Sequence, residues 1–224
     1  MKKRIINIGI ITALFVALAA CGKDNYEAPE AKLTGRVVYN GQAIGVRGSN
    51  QSVYLQLWQD GYALKTPINL YVTQDGSFAA TLFDGDYKMV TVNGNGPWAS
   101  SQDTVFVQVK GNTVADYTVK PYYTISNISY TLTEGVLKAS FDVTAVDPSR
   151  EIEYISLMIN DTRFVDFGQK MSSVELSEVS PGRVELELNV GDQLNNTKSL
   201  FARVGLKING ITEGVYDTNV EQLK

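Results

Sequence analysis

The chain has 224 residues, 20 basic and 24 acidic, for a formal charge of −4, with no histidine and a single cysteine. A mildly acidic balance without clustered lysine or arginine argues against a nucleic-acid footprint. The missing imidazole excludes a Ser-His-Asp triad, a histidine-ligated zinc and a histidine general base, so catalysis would have to rest on paired carboxylates or a Ser-Lys pair.

Met1, Lys2, Lys3 and Arg4 form a short basic head, and residues 5–20 are apolar apart from Asn7 and Thr12. Leu18-Ala19-Ala20-Cys21 follows. Basic charge before a short apolar run is the layout of an export leader. The run of about 16 residues falls short of the roughly 20 that span a bilayer, which makes an uncleaved anchor the weaker alternative. The tetrapeptide resembles the lipobox of bacterial lipoproteins. That resemblance implies cleavage after residue 20 and acylation of Cys21, each inserted methylene contributing roughly 0.8 kcal/mol. Acylation would also use the only thiol, leaving no disulfide, thiolate metal site or cysteine nucleophile. No cofactor or metal is expected.

Removing residues 1–20 leaves 204 residues and takes Lys2, Lys3 and Arg4 with it, so 17 basic residues face 24 acidic ones and the charge becomes −7. Residues 21–31 read as the lipidated cysteine and a polar tether. Gly22 stands where the inner-membrane-retained class carries aspartate, and Lys23-Asp24 resembles the surface-export signal of Bacteroidetes lipoproteins. The expectation is a lipid-anchored protein of the outer membrane, facing the cell exterior. An ordinary charged linker on a periplasm-facing lipoprotein is the alternative.

Strand alternation then starts. Leu33, Gly35, Val37 and Tyr39 share a face, and Asn40-Gly41 is a strong hairpin signal. Val53, Leu55 and Leu57 lie on one face of the next strand, with Tyr54, Gln56 and Trp58 on the other. Turns are expected at Asp60-Gly61, Asp75-Gly76 and Asp84-Gly85, separating short strands around Leu70-Tyr71-Val72 and Phe78, Ala80 and Leu82. The stretch Asn93-Gly94-Asn95-Gly96-Pro97-Trp98 forbids a regular element and reads as a loop. Val105, Val107 and Val109 oppose Phe106, Gln108 and Lys110, and one strand over 114–119 closes the unit. Residues 32–120 thus read as one β-sandwich without a helix.

Pro121-Tyr122-Tyr123 reads as a stiff hinge whose tyrosines pack between the domains. Beyond it, strands are expected over 125–132 and at Leu137, Ala139, Phe141, Val143 and Ala145. Ile155, Leu157 and Ile159 form another inward series, as do Val184, Leu186, Leu188 and Val190. Leu200, Ala202, Val204, Leu206 and Ile208 complete the set. Residues 121–224 read as a second sandwich of immunoglobulin or fibronectin-III type, without the Cys…Trp…Cys pattern of a true immunoglobulin domain. The fold class is all-β, two consecutive β-sandwiches.

The stretches LTGRVVYNGQAIGVRG, VYLQLWQDG and TQDGSFAATLFDGDYKMV resemble a transthyretin-like or carboxypeptidase-regulatory-like domain. In its D-G-x-F…L-x-x-G-x-Y pair, here Asp75, Gly76, Phe78, Leu82, Gly85 and Tyr87, Gly85 is expected in a turn with Phe78 and Tyr87 packed across it. Together with GNGPW and VKPYYTI, these stretches resemble the Bacteroidetes lipoproteins grouped as domain-of-unknown-function 3823. The resemblance implies a transthyretin-like N-terminal domain and an immunoglobulin-like C-terminal one. It also implies association with outer-membrane glycan-uptake systems, near SusC/SusD-like partners. It supplies no catalytic residue and no defined ligand.

Trp58, Tyr62 and Trp98 are the candidate ligand-binding aromatics. Each sits near a strand end or in a turn or glycine-proline loop, where a ring can stack on a sugar or anchor a protein. Asn69, Asn93, Asn95 and Gln102 are candidate amide partners. The competing expectation is that Trp58 and Trp98 simply cap a small core. Asp84 and Asp86 flank a turn without an acid/base partner, and nothing local sets two carboxyls roughly 5 Å apart as a retaining glycosidase requires. Asp75 and Asp84 are expected in turn hydrogen bonds. The leading expectation is a non-catalytic surface lipoprotein that binds glycan or serves a glycan-import complex. The alternatives are a structural or adhesive protein-interaction lipoprotein and a carboxylate-dependent glycoside hydrolase.

Overall fold

The computed structural model describes residues 27–61 and 64–224. The leader, Cys21, Lys23, Asp24 and Tyr62 lie outside the described residues.

The first sandwich opens with β1 (Ala31–Tyr39) and β2 (Gln42–Ala43), joined through Asn40 and Gly41 at φ +49° and +75°. These are the two positive φ values a type I′ hairpin turn needs. After a 3-10 turn at Ser49–Gln51 come β3 (Tyr54–Trp58), β4 (Ile68–Tyr71), β5 (Ser77–Leu82) and β6 (Gly85–Thr91). β7 (Val105–Val109), β8 (Asn112–Val114) and β9 (Tyr117–Thr118) finish the unit. One sheet runs β2-β1-β5, with β8 and β9 also paired to β1, and the other runs β4-β3-β6-β7. Period-two burial drives their facing. Leu33, Val37, Val53, Leu55, Leu57 and Met89 are almost wholly buried, each contributing roughly 1.5–3 kcal/mol relative to exposure. Phe78 and Tyr87 both enter this core. The Tyr87 hydroxyl spans the turn to donate to Phe83 O at 2.9 Å. Gly35 leaves room for Phe78, whose Cζ would lie 2.7 Å from an added Cβ.

The segment expected as one strand over 114–119 is two short ones, each pairing parallel to β1. Between them Asp116 accepts from the Arg36 amide at 2.9 Å and its guanidinium at 2.8 Å, diverting the backbone.

The second sandwich comprises β10 (Tyr123–Thr133), β11 (Val136–Ala145), β12 (Ile152–Asn160), β13 (Ser172–Ser177) and β14 (Gly182–Asn189). A six-residue helix α1 (Gly191–Asn196) precedes β15 (Phe201–Ile208), β16 (Val215–Tyr216) and β17 (Glu221–Gln222). Its sheets are β10-β11-β14 and β13-β12-β15-β16, with β17 on β15. Two elements depart from the alternation. The sequence of Ser172–Ser177 is mostly polar, yet it pairs along β12 from Tyr154↔Ser177 to Ile159↔Ser172. Helix α1 forms where Leu194 packs against the core and Thr197 Oγ1 donates to Gln193 O at 2.7 Å.

Pro121, Tyr122 and Tyr123 are buried, and both tyrosines belong to the core of the second sandwich. The segment is pinned to the Trp98 loop, Ala99 N donating to Lys120 O at 2.9 Å and Tyr122 N to Pro97 O at 3.2 Å. A second joint lies farther along. Tyr216 N donates to Gly45 O at 2.9 Å, and Ser49 N donates to Asp166 Oδ2 at 3.2 Å. Arg203 reaches across the boundary, donating to Gln74 O at 2.6 Å and to Asp217 O at 2.7 Å.

Candidate functional site

The outer face of β4-β3-β6-β7 collects aromatic rings. In β3 the inward Leu55 and Leu57 force Tyr54, Gln56 and Trp58 to the opposite side. Register then sets the neighbours: Trp58 pairs with Lys88, and Lys88 with Phe106, so these three lie in one row across three strands. One end of the face carries Tyr54 opposite Tyr71, their rings 5.9 Å apart and edge-to-face. Between the rings lie Gln56, Asn69 and Val90. Phe106 is 74% exposed and Tyr71 40%. Lys88 Nζ contacts Asp60 Oδ2 at 2.6 Å, and this hydrogen bond holds the Asp60 carboxyl below its ordinary value. Asp86 accepts from Gln108 Nε2 at 3.3 Å. The face therefore combines rings and amides with one Lys88–Asp60 ion pair and an Asp86 carboxylate held by a neutral amide.

The other candidates go elsewhere. Trp98 is only 4% exposed and belongs to the first core, its ring seated on Gly96 at φ +110°. It offers no face for stacking; it caps the core beside the hinge and pairs with Pro121. Asn95 is spent on its own loop, accepting from Tyr54 N at 2.8 Å and donating to Ser52 O at 2.7 Å. Asn93 Oδ1 accepts from Ser100 Oγ. Gln102 is exposed in the segment before β7. Asp75 accepts from Thr73 and Ser77 within its turn, as expected, whereas Asp84 accepts from Gly111 N of the neighbouring turn at 3.0 Å.

Two concavities open between the domains. One, of about 460 Å³, is lined by Ser52, Tyr54, Asn93, Thr212 and Glu213. The other, of about 740 Å³, has Asp217 in its wall. Asp217 is well supplied, accepting from Tyr130 Oη at 2.9 Å and Asn219 N at 2.8 Å. Glu213 differs: it is 6% exposed and has no hydrogen bond or ion pair among the described residues. Burial raises its carboxyl above the ordinary value, opposed by Arg47 and Lys207 and assisted by Asp166.

Two family models match this architecture. The protein of unknown function (DUF3823) N-terminal domain covers residues 31–120, and the domain of unknown function DUF3823_C covers residues 123–222. The chain belongs to the DUF3823 family. A solved DUF3823 protein from Parabacteroides merdae is 40% identical, with 88% of this chain and 100% of that chain covered and a TM-score of 0.82. Another, from Bacteroides ovatus, is 36% identical over 87% of this chain and 100% of that one, with a TM-score of 0.79. A Bacteroides uniformis structure described as "a putative carbohydrate binding protein" is 18% identical. It covers 88% of this chain and 100% of its own length at a TM-score of 0.69, a likeness that shows the fold alone. No curated protein matches significantly.

In this DUF3823 chain, the nominated Trp58 is thus joined by Tyr54, Tyr71 and Phe106, which sequence reasoning did not nominate. Alternation already put Tyr54 beside Trp58 and Phe106 opposite the valines of β7. Cross-strand order, which brings the two strands onto one face, is absent from the local pattern. Glu213 carried no signal, because nothing within residues 209–214 marks that stretch as buried.

Proposed function

We propose that this DUF3823 protein is a non-catalytic, lipid-anchored lipoprotein of the outer-membrane surface. It binds glycan on the outer face of β4-β3-β6-β7 and serves a glycan-import complex with SusC/SusD-like partners. The observation that carries the reading is the row Trp58, Lys88 and Phe106, flanked by the Tyr54–Tyr71 pair. Stacking contributes about 0.5–1.5 kcal/mol per ring beyond area burial, by analogy with aromatic pairs. Such a face binds weakly at one site, and clustering on a surface raises the effective concentration. The description of the Bacteroides uniformis protein supports the same chemistry. The leader with its lipobox at Cys21, and Lys23-Asp24 after it, support anchoring and outward display.

A glycan array with the purified full-length protein tests the reading, alongside Trp58→Ala and Phe106→Ala. Each substitution is expected to weaken binding about five- to tenfold. Binding that survives both clears the face of the role, and hydrolysis of any glycan overturns the non-catalytic assignment. Cys21→Ala is expected to release the protein from membranes on fractionation, and retention equal to the unmodified chain would refute the anchor. The exposure of Phe106 also favours a second reading, a protein-docking face. Co-purification of an outer-membrane partner that Phe106→Ala abolishes, with no glycan bound, selects it.

A further inference from the structure

The aromatic face ends at Tyr54, and Tyr54 also lines the 460 Å³ concavity between the two sandwiches. Glu213 lines the same concavity from the loop after β15, in the other domain. Its carboxylate is an anomaly. A buried charge is ordinarily paired or hydrogen-bonded, because desolvation without compensation is costly. Glu213 is 6% exposed as a residue and has neither kind of partner among the described residues, while its carboxylate oxygens keep access to the concavity. The other buried acids at the joint are saturated. Asp166 accepts from the Ser49, Gly168 and Gln169 amides, and Asp217 from Tyr130 and Asn219. A neighbouring cation is also occupied elsewhere: Lys207 donates to the Ile211 and Thr212 carbonyls. Arg47 lies 3.5 Å from Asp166 and bonds Ser49.

We infer that the concavity between the domains is a binding pocket in which Glu213 accepts hydrogen bonds from the hydroxyls of one uncharged sugar unit, the rest of the glycan lying on the aromatic face. An ionised carboxylate only accepts, so the ligand must bring donors. Arg47 and Lys207 act on Glu213 but are engaged with Asp166 and Ser49 and with backbone carbonyls, and among the described residues no lysine or arginine lines the pocket, so a uronate or phosphate would meet Glu213 as a like charge. Two hydroxyls on adjacent carbons match the two carboxylate oxygens and give charge-assisted bonds, roughly twice as strong as neutral ones. The Tyr54 ring at the pocket edge joins this polar anchor to the stacking surface. The contribution from the second domain makes the domain pair, rather than the first sandwich alone, the binding unit. This inference rests on the proposed glycan-binding reading and names the group that selects the ligand.

The test uses the purified full-length protein and neutral oligosaccharides of two to six units (malto-, cello-, xylo- and manno-series), with an oligogalacturonate as the acidic arm. Affinities are read by calorimetry for the unmodified chain, Glu213→Gln and Phe106→Ala. Glu213→Gln keeps the size and removes the charge, and is expected to weaken binding about tenfold. The unmodified chain is expected to lose affinity as pH falls through the Glu213 titration, with Arg47, Lys207 and Asp166 as the charged groups facing it, while the glutamine variant stays flat. Thermal unfolding serves as the control: relief of an uncompensated buried charge leaves Glu213→Gln at least as stable while it binds less well, a combination that a purely structural glutamate does not give. Binding that Phe106→Ala weakens but Glu213→Gln leaves unchanged in strength and pH profile overturns the pocket and spares the aromatic face. Preference for the oligogalacturonate overturns the assigned ligand chemistry. Binding of none of the sugars overturns both.

Discussion

Arg203 sits at a strand position that alternation assigns to the outside, between the inward Ala202 and Val204, yet it is fully buried. Its guanidinium donates to Asp217 O, Gln74 O and Val165 O and lies 4.8 Å above the Tyr216 ring. Burial pushes it down to about 10, still charged at neutral pH. Arg203→Met keeps the stem but leaves those carbonyls without a donor, each at about 1–3 kcal/mol. A loss of about 3 kcal/mol or more is expected in chemical denaturation, and a change below about 1 kcal/mol would refute the role. Glu213 predicts a pH signature. Burial raises its folded-state pKa, so its protonated form is favoured in the native state. The favourable contribution is present below the ordinary carboxylate pKa and disappears as pH rises through the raised value. Glu213→Gln is therefore expected to exceed the unmodified chain in denaturation midpoint near pH 7, with the gap closing towards about pH 4. A gap that does not move with pH would show that Glu213 carries no buried charge.

Strands β3 and β7 carry core residues on one face and the proposed binding residues on the other. Leu55, Leu57, Val107 and Val109 face the core, while Trp58 is half-buried and Phe106 74% exposed on the other side. Removing an exposed ring deletes little buried area, so Phe106→Ala is expected to change stability by no more than about 0.5 kcal/mol. Thermal melts check this, and a large loss would mean that Phe106 packs as core and that its binding effect is indirect. Trp98 shows the reverse case. Glycines and a proline mark its segment as a loop, and it is one, but the loop folds its tryptophan inward against Gly96 and beside Pro121. Loop character and burial are separate properties.

The two sandwiches meet through backbone contacts rather than a hinge alone. Gly45 approaches Tyr216 so closely that a Cβ would collide with the Tyr216 carbonyl oxygen and lie 2.9 Å from Asp217 C. Asp166 ties the loop after β12 to Ser49, and Lys120 pairs with Asp147 at 2.9 Å beside the linker. A joint of this kind couples the domains in unfolding. Gly45→Ala is expected to split one calorimetric transition into two, with each core retained. A single unshifted transition would show that the joint contributes nothing to cooperativity. The pocket of Glu213 spans the same boundary, so Gly45→Ala serves also to separate binding by the domain pair from binding by the first sandwich.

The sequence by itself determined the all-β class, the restart of strand alternation after Pro121 and the inward faces of β1, β3, β11, β14 and β15. Those follow from local properties: two-residue periodicity, the φ freedom of Asn40-Gly41 and the fixed φ of proline. It also put Tyr54, Gln56 and Trp58 on one face. Only the tertiary structure decided what covers the other face of a strand. In β12, Ser156 and Met158 are as buried as Ile155 and Leu157, because the far side of that sheet is covered by a second apolar cluster in which Met158 packs with Val165, Phe201, Tyr216 and Val220. A long-range contact of this kind holds the buried Arg203, whose guanidinium donates to Gln74 O of the first domain, and cross-strand order alone sets Phe106 two strands from Trp58. Burial by a partner surface is a non-local property, and alternation along one strand carries no record of it.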